Sequence, residues 1–180
     1  MIYGVWGMPG TGKTGFLAWT GDNAAKQGKK VFANFRLVGA RRWNPATPPP
    51  EGDCVLLIQE AGVLFNARKW TSDENQNMND WLAQARHLDS DVYWDSQWPK
   101  QVELGLRMLT DVSVHALRRV KDTGGFGVYD VMGRKLVIDL KPIYPLYNHK
   151  ESSSRRQLAE SDWSGPNLRT PAFIGPQVFP

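Results

Sequence analysis

Apolar positions in this chain fall in short, strand-length runs separated by glycines, prolines and charged residues. The first run, Ile2 to Trp6, predicts a strand that enters a glycine-rich turn and then a helix from about Lys13 to Gln27, ended by Gly28. Val31 to Phe35 predicts a second strand, and Val55 to Ile58 (VLLI) is the near-continuous apolar run of a buried parallel strand. Between them, Gly39 to Gly52 holds four prolines, which excludes regular helix and central strand and predicts a loop or ordered excursion. Residues 61 to 74 are ambiguous and read as partly loop. Asn75 to His87 has helical spacing, with Met78, Leu82 and Ala85 on one stripe and Trp81 beside it. Asp91 to Asp95 reads as a strand, and Pro99 to Met108 as a short helix opened by proline. Val112 to Ala116 alternates as a strand that can continue to Val120, and Phe126 to Val131 with Lys135 to Leu140 reads as a hairpin around Met132-Gly133-Arg134.

Strands alternating with helices predict an α/β fold with a mainly parallel central sheet flanked by helices, closed by a C-terminal antiparallel hairpin. The expected division is a folded domain over residues 1–141 and a proline-containing extension over 142–180. Past Pro142 the periodicity dissolves, with five further prolines and a run SSSRR, as in an extended tail or a collar on neighbours.

Composition changes this picture little. At 180 residues the chain is long enough for one α/β domain with a core, and its 41% apolar and 22% charged residues are ordinary for a soluble globule. No segment approaches the length of apolar run needed to cross a bilayer, and no basic leader precedes the first apolar run, so no membrane span is expected. A lone cysteine, Cys54, excludes a disulfide framework and a thiol metal cluster. The net charge of +4 does not by itself argue for nucleic acid. Of eight tryptophans, Trp43, Trp70 and Trp163 lie in polar or proline-containing stretches and are candidates for interfaces.

The segment GMPGTGKT, Gly7 to Thr14, carries the chemistry. It meets the pattern G-x-x-x-x-G-K-[ST] in full, between a strand and a helix as that motif requires. Glycines let successive backbone N–H groups curl around a phosphate, and the helix start adds its unpaired N–H groups and positive end. Gly7, Met8, Pro9, Gly10, Thr11, Gly12, Lys13, Thr14 and Gly15 therefore form the expected nucleotide-binding segment. Lys13 is placed to reach the β- and γ-phosphates of ATP, and the Thr14 hydroxyl to ligate Mg²⁺.

A partner is needed on a neighbouring strand. Gln59 and Glu60 end the VLLI run, where hydrolytic versions offer one acid for the Mg²⁺ shell and a second to orient water. Gln59 can hold a magnesium-bound water but adds no negative charge, and Glu60 is the favoured water-activating base. Gln97, beyond Asp95, reads either as a γ-phosphate sensor holding the attacking water or as a loop glutamine bonded locally. Arg86, Arg107 and the pair Arg118-Arg119 are candidates to neutralise charge on the transferring phosphoryl group, as an adjacent subunit's arginine often does. His87, His115 and His149 show no metal-ligand spacing.

Together these residues resemble the P-loop ATPase domain shared by zonular occludens toxin-like proteins and filamentous phage assembly proteins, similar in turn to viral packaging ATPases of the FtsK-HerA type. The likeness begins at IYGVWGMPGTGKT, resumes at VLLIQEAGVLF and is clearest in WLAQARHLDSDVYWDSQWPKQVELGLRML. Carried over, the family's acidic pair falls on Gln59 and Glu60, its Arg-His on Arg86 and His87, its sensor glutamine on Gln97 and its following arginine on Arg107. The chain departs from the pattern in lacking the aspartate of the pair. The resemblance implies ATP hydrolysis by a homo-oligomeric ring, commonly hexameric, that moves viral DNA through backbone contacts. It also implies capsid or membrane-bound assembly proteins as partners, in host cytoplasm or on the virion. Arg41, Arg42 and Lys69 are the candidate DNA-facing residues. A small-molecule kinase and a nucleotide-gated structural module remain as alternatives.

Overall fold

A computed structural model of the chain describes residues 1–45, 47, 50, 52–65, 80–82 and 89–147. Eight strands form one sheet: β1 (Ile2–Trp6), β2 (Lys30–Ala33), β3 (Arg41–Arg42), β4 (Cys54–Ile58), β5 (Asp91–Ser96), β6 (Val112–Ala116), β7 (Phe126–Val131) and β8 (Arg134–Asp139). Their spatial order is β3-β2-β4-β5-β1-β6-β7-β8. The first six are mutually parallel, and β7 and β8 continue the sheet antiparallel from β6. The architecture is the mainly parallel α/β sheet with a C-terminal hairpin that the pattern predicts.

Alternation along the strands divides the core between two faces. Val55 and Leu57 of β4 join Val5, Val114 and the buried side of helix α1 (Lys13–Lys26) on one face. Leu56 and Ile58 join Ile2, Val92 and Trp94 on the other, beneath Ala61, Phe65, Trp81, Leu82 and Leu106. All five residues of β4 are buried, as an apolar run covered on both faces requires. Ala61 comes from a one-turn helix α2 (Ala61–Leu64), and Leu106 from a short helix α3 (Leu104–Met108).

Several elements depart from expectation. Within the proline-rich stretch, Arg41–Arg42 pair with β2 as a two-residue edge strand. Trp43 follows them into the core at 4% exposure, so it is a packing residue and not an interface one; Trp70 and Trp163 lie outside the described residues. The segment Pro99 to Met108 is not one helix. A 3-10 turn over Pro99–Gln101 gives way to extended backbone at Val102, and Glu103 starts α3 by accepting from the Leu106 N–H. That capping carboxylate is favoured at a helix start, so a new helix begins there. β6 ends at Ala116 and the chain turns into a 3-10 segment, Val120–Thr123. Beyond residue 141, Ile143 and Tyr147 pack into the core and Tyr147 bridges Leu37. The helical stripe expected over Asn75 to His87 is described only at residues 80–82, which are helical.

Candidate functional site

The site forms where parallel strands end and α1 begins. β1 delivers the chain into a turn whose outer residues, Met8, Pro9 and Gly10, are exposed while Thr11 and Lys13 are buried. Gly10 and Gly12 adopt left-handed backbone, φ 80° and 85°, which side chains disfavour. The turn is braced from within. Thr11 Oγ1 donates to Met8 O at 2.7 Å, and Lys13 Nζ folds back to donate to Gly7 O at 2.9 Å and Met8 O at 3.2 Å. It is also braced from behind by residues more than a hundred positions away in sequence. Tyr129 of β7, fully buried, donates its hydroxyl to Gly12 O at 2.8 Å, and Val120 N–H donates to Gly10 O at 2.9 Å.

Strand order brings the Gln59 and Asp95 side chains to the first turn of α1. β5 lies between β4 and β1, with Ile58 level with Trp94 and Val5 level with Asp95. Thr14 Oγ1 donates to Asp95 Oδ2 at 3.4 Å and accepts from Gln59 Nε2 at 3.3 Å. Asp95 Oδ1 accepts from the Glu60 N–H at 2.7 Å. Asn34 clamps the Gln59 backbone by donating to its carbonyl at 2.9 Å and accepting from its N–H at 2.7 Å. Glu60 itself sits in left-handed backbone, φ 56°, a strained position for a non-glycine residue and of a kind found at functional sites.

The electrostatics follow from burial. Desolvation lowers the Lys13 ammonium below its ordinary range, opposed by the nearby carboxylates of Asp95 and Glu60. Burial pushes the Asp95 carboxyl up to about 7, opposed by the Glu60 N–H, the Lys13 charge and the Thr14 hydroxyl. A cleft of about 460 Å³ opens beside the loop, lined by Met8, Thr11, His115, Arg118, Arg119 and Asp122 among others. A larger cavity of about 660 Å³ lies around Met1, Lys29, Asp53, Asp89 and Asp91. Within it Asp91 pairs with both the N-terminal ammonium and Lys29, and it lies at the opposite ends of the strands from the glycine loop.

The expected residues thus separate into groups. Gly7 to Gly15, Gln59 and Glu60 come together, and half-buried Gln97 follows directly on β5. Arg107 lies in the last turn of α3, its Nε donating to Val102 O at 3.0 Å, and no described hydrogen bond or ion pair links it to the loop. Arg86 and His87 lie outside the described residues, as does Lys69. Arg118 and Arg119 are exposed in the cleft beside Met8 and Thr11. Asp95, Asn34 and Tyr129 escaped the sequence reading. For Asp95 a signal existed: period-2 alternation in DVYWD sets it on the face opposite Val92 and Trp94, the face α1 covers.

Magnesium fits this donor set. The ion keeps several waters and takes one or two carboxylates beside phosphate oxygens. Thr14, Gln59 and Asp95 offer such a sparse set, and the described residues hold no cluster of three or more His, Cys, Asp or Glu that would form a full protein cage.

A glycine loop between a parallel strand and a helix, with lysine and threonine at the helix start, defines a P-loop NTPase fold. The comparisons with known proteins agree. The family model of zonular occludens toxin (Zot) matches residues 37–132, more than half of the chain, and the chain belongs to that family. The N-terminal domain of zonular occludens toxin from Neisseria meningitidis superposes with a TM-score of 0.59 at 21% identity, covering 82% of this chain and 98% of that one. A further solved structure, described as an ATPase domain, gives 0.53 at 9% identity, covering 81% and 83%. The genome packaging NTPase B204 from Sulfolobus turreted icosahedral virus 2, in complex with AMP, gives 0.51 at 10% identity, covering 78% and 93%. None of the curated proteins matches the chain in sequence.

Proposed function

We propose that this protein is an ATP-hydrolysing motor that packages or translocates viral DNA as a ring of identical subunits. The observation that carries the reading is the complete phosphate loop held against the ends of β4 and β5, with Lys13 buried at its centre. Family membership supports it, as do neighbours in fold that are described as an ATPase domain and a genome packaging NTPase.

In this reading Lys13 exchanges two loop carbonyls for the β- and γ-phosphates of ATP, so its charge is satisfied both before and after binding. Thr14 and Gln59 would hold Mg²⁺, which would neutralise phosphate charge. Glu60 takes the proton of the attacking water, and Gln97 orients that water from the end of β5. The cleft beside Met8 and Thr11 receives the nucleoside, with Arg118 and Arg119 at its rim. Arg107 or Arg86 enters the site of the neighbouring subunit; Arg107 makes no described bond to the loop of its own chain. Exposed Arg41 and Arg42 on the edge strand contact the DNA backbone, which predicts weak sequence preference and binding that falls steeply with salt. Val63, Trp98, Leu104 and Met108 are exposed large apolar side chains on the segments that follow β4 and β5, suited to subunit contacts. Capsid or membrane-bound assembly proteins are the further partners, and host cytoplasm or virion the place of action; no helix among the described residues is long and apolar enough to cross a membrane.

ATP turnover measured against protein concentration, with and without DNA, tests the proposal. Turnover per subunit should rise as rings form and with added DNA, and vanish in Lys13→Ala. Turnover per subunit that is independent of concentration and of DNA would contradict the motor.

A further inference from the structure

We propose that Asp95, at the end of β5, supplies the magnesium-shell carboxylate that Gln59 does not provide from the end of β4. The inference rests on the nucleotide reading above and names the residue that completes its metal site.

Mg²⁺ bound to a triphosphate is ordinarily steadied by an acid at the end of a nearby strand of the sheet, and Gln59 holds that position without a charge. One strand nearer the loop, Asp95 is level with Val5 and one residue beyond the Ile58–Trp94 pair, so its carboxylate is level with Gln59. Its Oδ2 is 3.4 Å from Thr14 Oγ1, the hydroxyl expected on the metal. Asp95 is 1% exposed, and among the described residues no cation lies within ion-pair distance of it. An enclosed carboxylate with no direct ion pair is destabilising in a protein interior, and Lys13, the nearby cation, is bonded to the Gly7 and Met8 carbonyls instead. Its retention makes sense if the counter-ion arrives with the ligand.

The other carboxylate oxygen is used differently. Oδ1 accepts the Glu60 N–H at 2.7 Å and holds that residue in left-handed backbone. Asp95 therefore connects the metal position to the proposed base: one oxygen faces Thr14, the other fixes the turn that presents Glu60. A purely structural role would need only the second contact, and an asparagine carbonyl could make it equally well. The two roles are separable by experiment.

The test is calorimetric titration of ADP into the full chain, in saturating Mg²⁺ and in EDTA. In the wild type Mg²⁺ should strengthen binding. In Asp95→Asn, which keeps an acceptor for the Glu60 N–H, that strengthening should fall about 10–100-fold, the usual loss when a metal-supporting group is removed, while affinity in EDTA stays equal or improves. Adding Gln59→Asp to Asp95→Asn, which returns the carboxylate from β4, should regain part of it. Full Mg²⁺ strengthening in Asp95→Asn, an equal loss in Mg²⁺ and EDTA, or a double variant no better than the single one would overturn the proposal. A wild type that binds no ADP in either medium overturns the nucleotide reading along with it.

Discussion

Gly10 and Gly12 stand two residues apart in the same loop with nearly the same backbone, φ 80° and 85°, yet alanine at the two positions should behave very differently. Left-handed backbone costs an L-residue about 1–2 kcal/mol, and both variants carry that penalty. A Cβ at Gly10 meets nothing within 4 Å. At Gly12 it meets Val120 Cγ2 at 2.7 Å, Leu140 Cδ1 at 2.9 Å and the Tyr129 hydroxyl at 3.0 Å, the same hydroxyl that donates to Gly12 O. Overpacking adds about 1–3 kcal/mol and the lost hydrogen bond about 1 kcal/mol more. Gly12→Ala should therefore be less stable than Gly10→Ala by roughly 2–4 kcal/mol, a gap of about 4–16 °C in melting temperature for a domain of this size. Urea and thermal unfolding of both variants measure the gap, and ADP titration completes the assay: Gly10→Ala should stay folded and lose affinity, since a side chain there opposes the left-handed backbone that curls the loop. Equal stability losses, or a larger one in Gly10→Ala, would refute the assignment of one glycine to the core and the other to the ligand.

Tyr129→Phe removes only the hydroxyl that donates to Gly12 O and should cost about 1–2 kcal/mol in urea unfolding, with a measurable drop in ADP affinity as the loop loses its brace. Asn34→Ala leaves the Gln59 N–H and carbonyl without their paired partner and should cost about 1–3 kcal/mol by the same measurement. Burial raises the Asp95 carboxyl from 3.8 to about 7 in the folded protein, so between those values the unfolded chain has released a proton that the folded chain keeps. The Asp95 contribution to the stability of metal-free protein should therefore fall as pH rises from 4 to 7, and Asp95→Asn should melt higher than wild type at pH 8 with the advantage fading towards pH 4. A melting difference that does not change with pH would contradict the sign. Cys54 is fully buried with its thiol pushed up by desolvation, and it should resist alkylation at pH 8 until the chain unfolds.

The loop and its flanking strand and helix were legible because the motif is contiguous and the chemistry demands glycine, lysine and threonine at fixed spacing. Strand order was legible only as a class. The apolar run VLLI announces a buried strand, but nothing local says that β5 inserts between β4 and β1, and that insertion is what brings Asp95 beside Thr14. Tyr129 was hidden for the same reason, since its bond to Gly12 spans 117 positions. Trp43 misled because its neighbours are polar and proline-rich, while the edge pairing of Arg41 and Arg42 with β2 turns it inward. At Pro99 to Met108 the opening proline suggested one short helix, and the competing cap at Glu103 divided it.

The motor reading depends on the glycine loop gripping the phosphates of a nucleotide with Lys13 at its centre. Calorimetric titration of a non-hydrolysable ATP analogue with Mg²⁺ into wild type and Lys13→Ala tests it most directly. Saturable binding in the wild type, competed by ADP and lost in Lys13→Ala, is the predicted result. No heat in the wild type, or equal affinity in the two proteins, would contradict it.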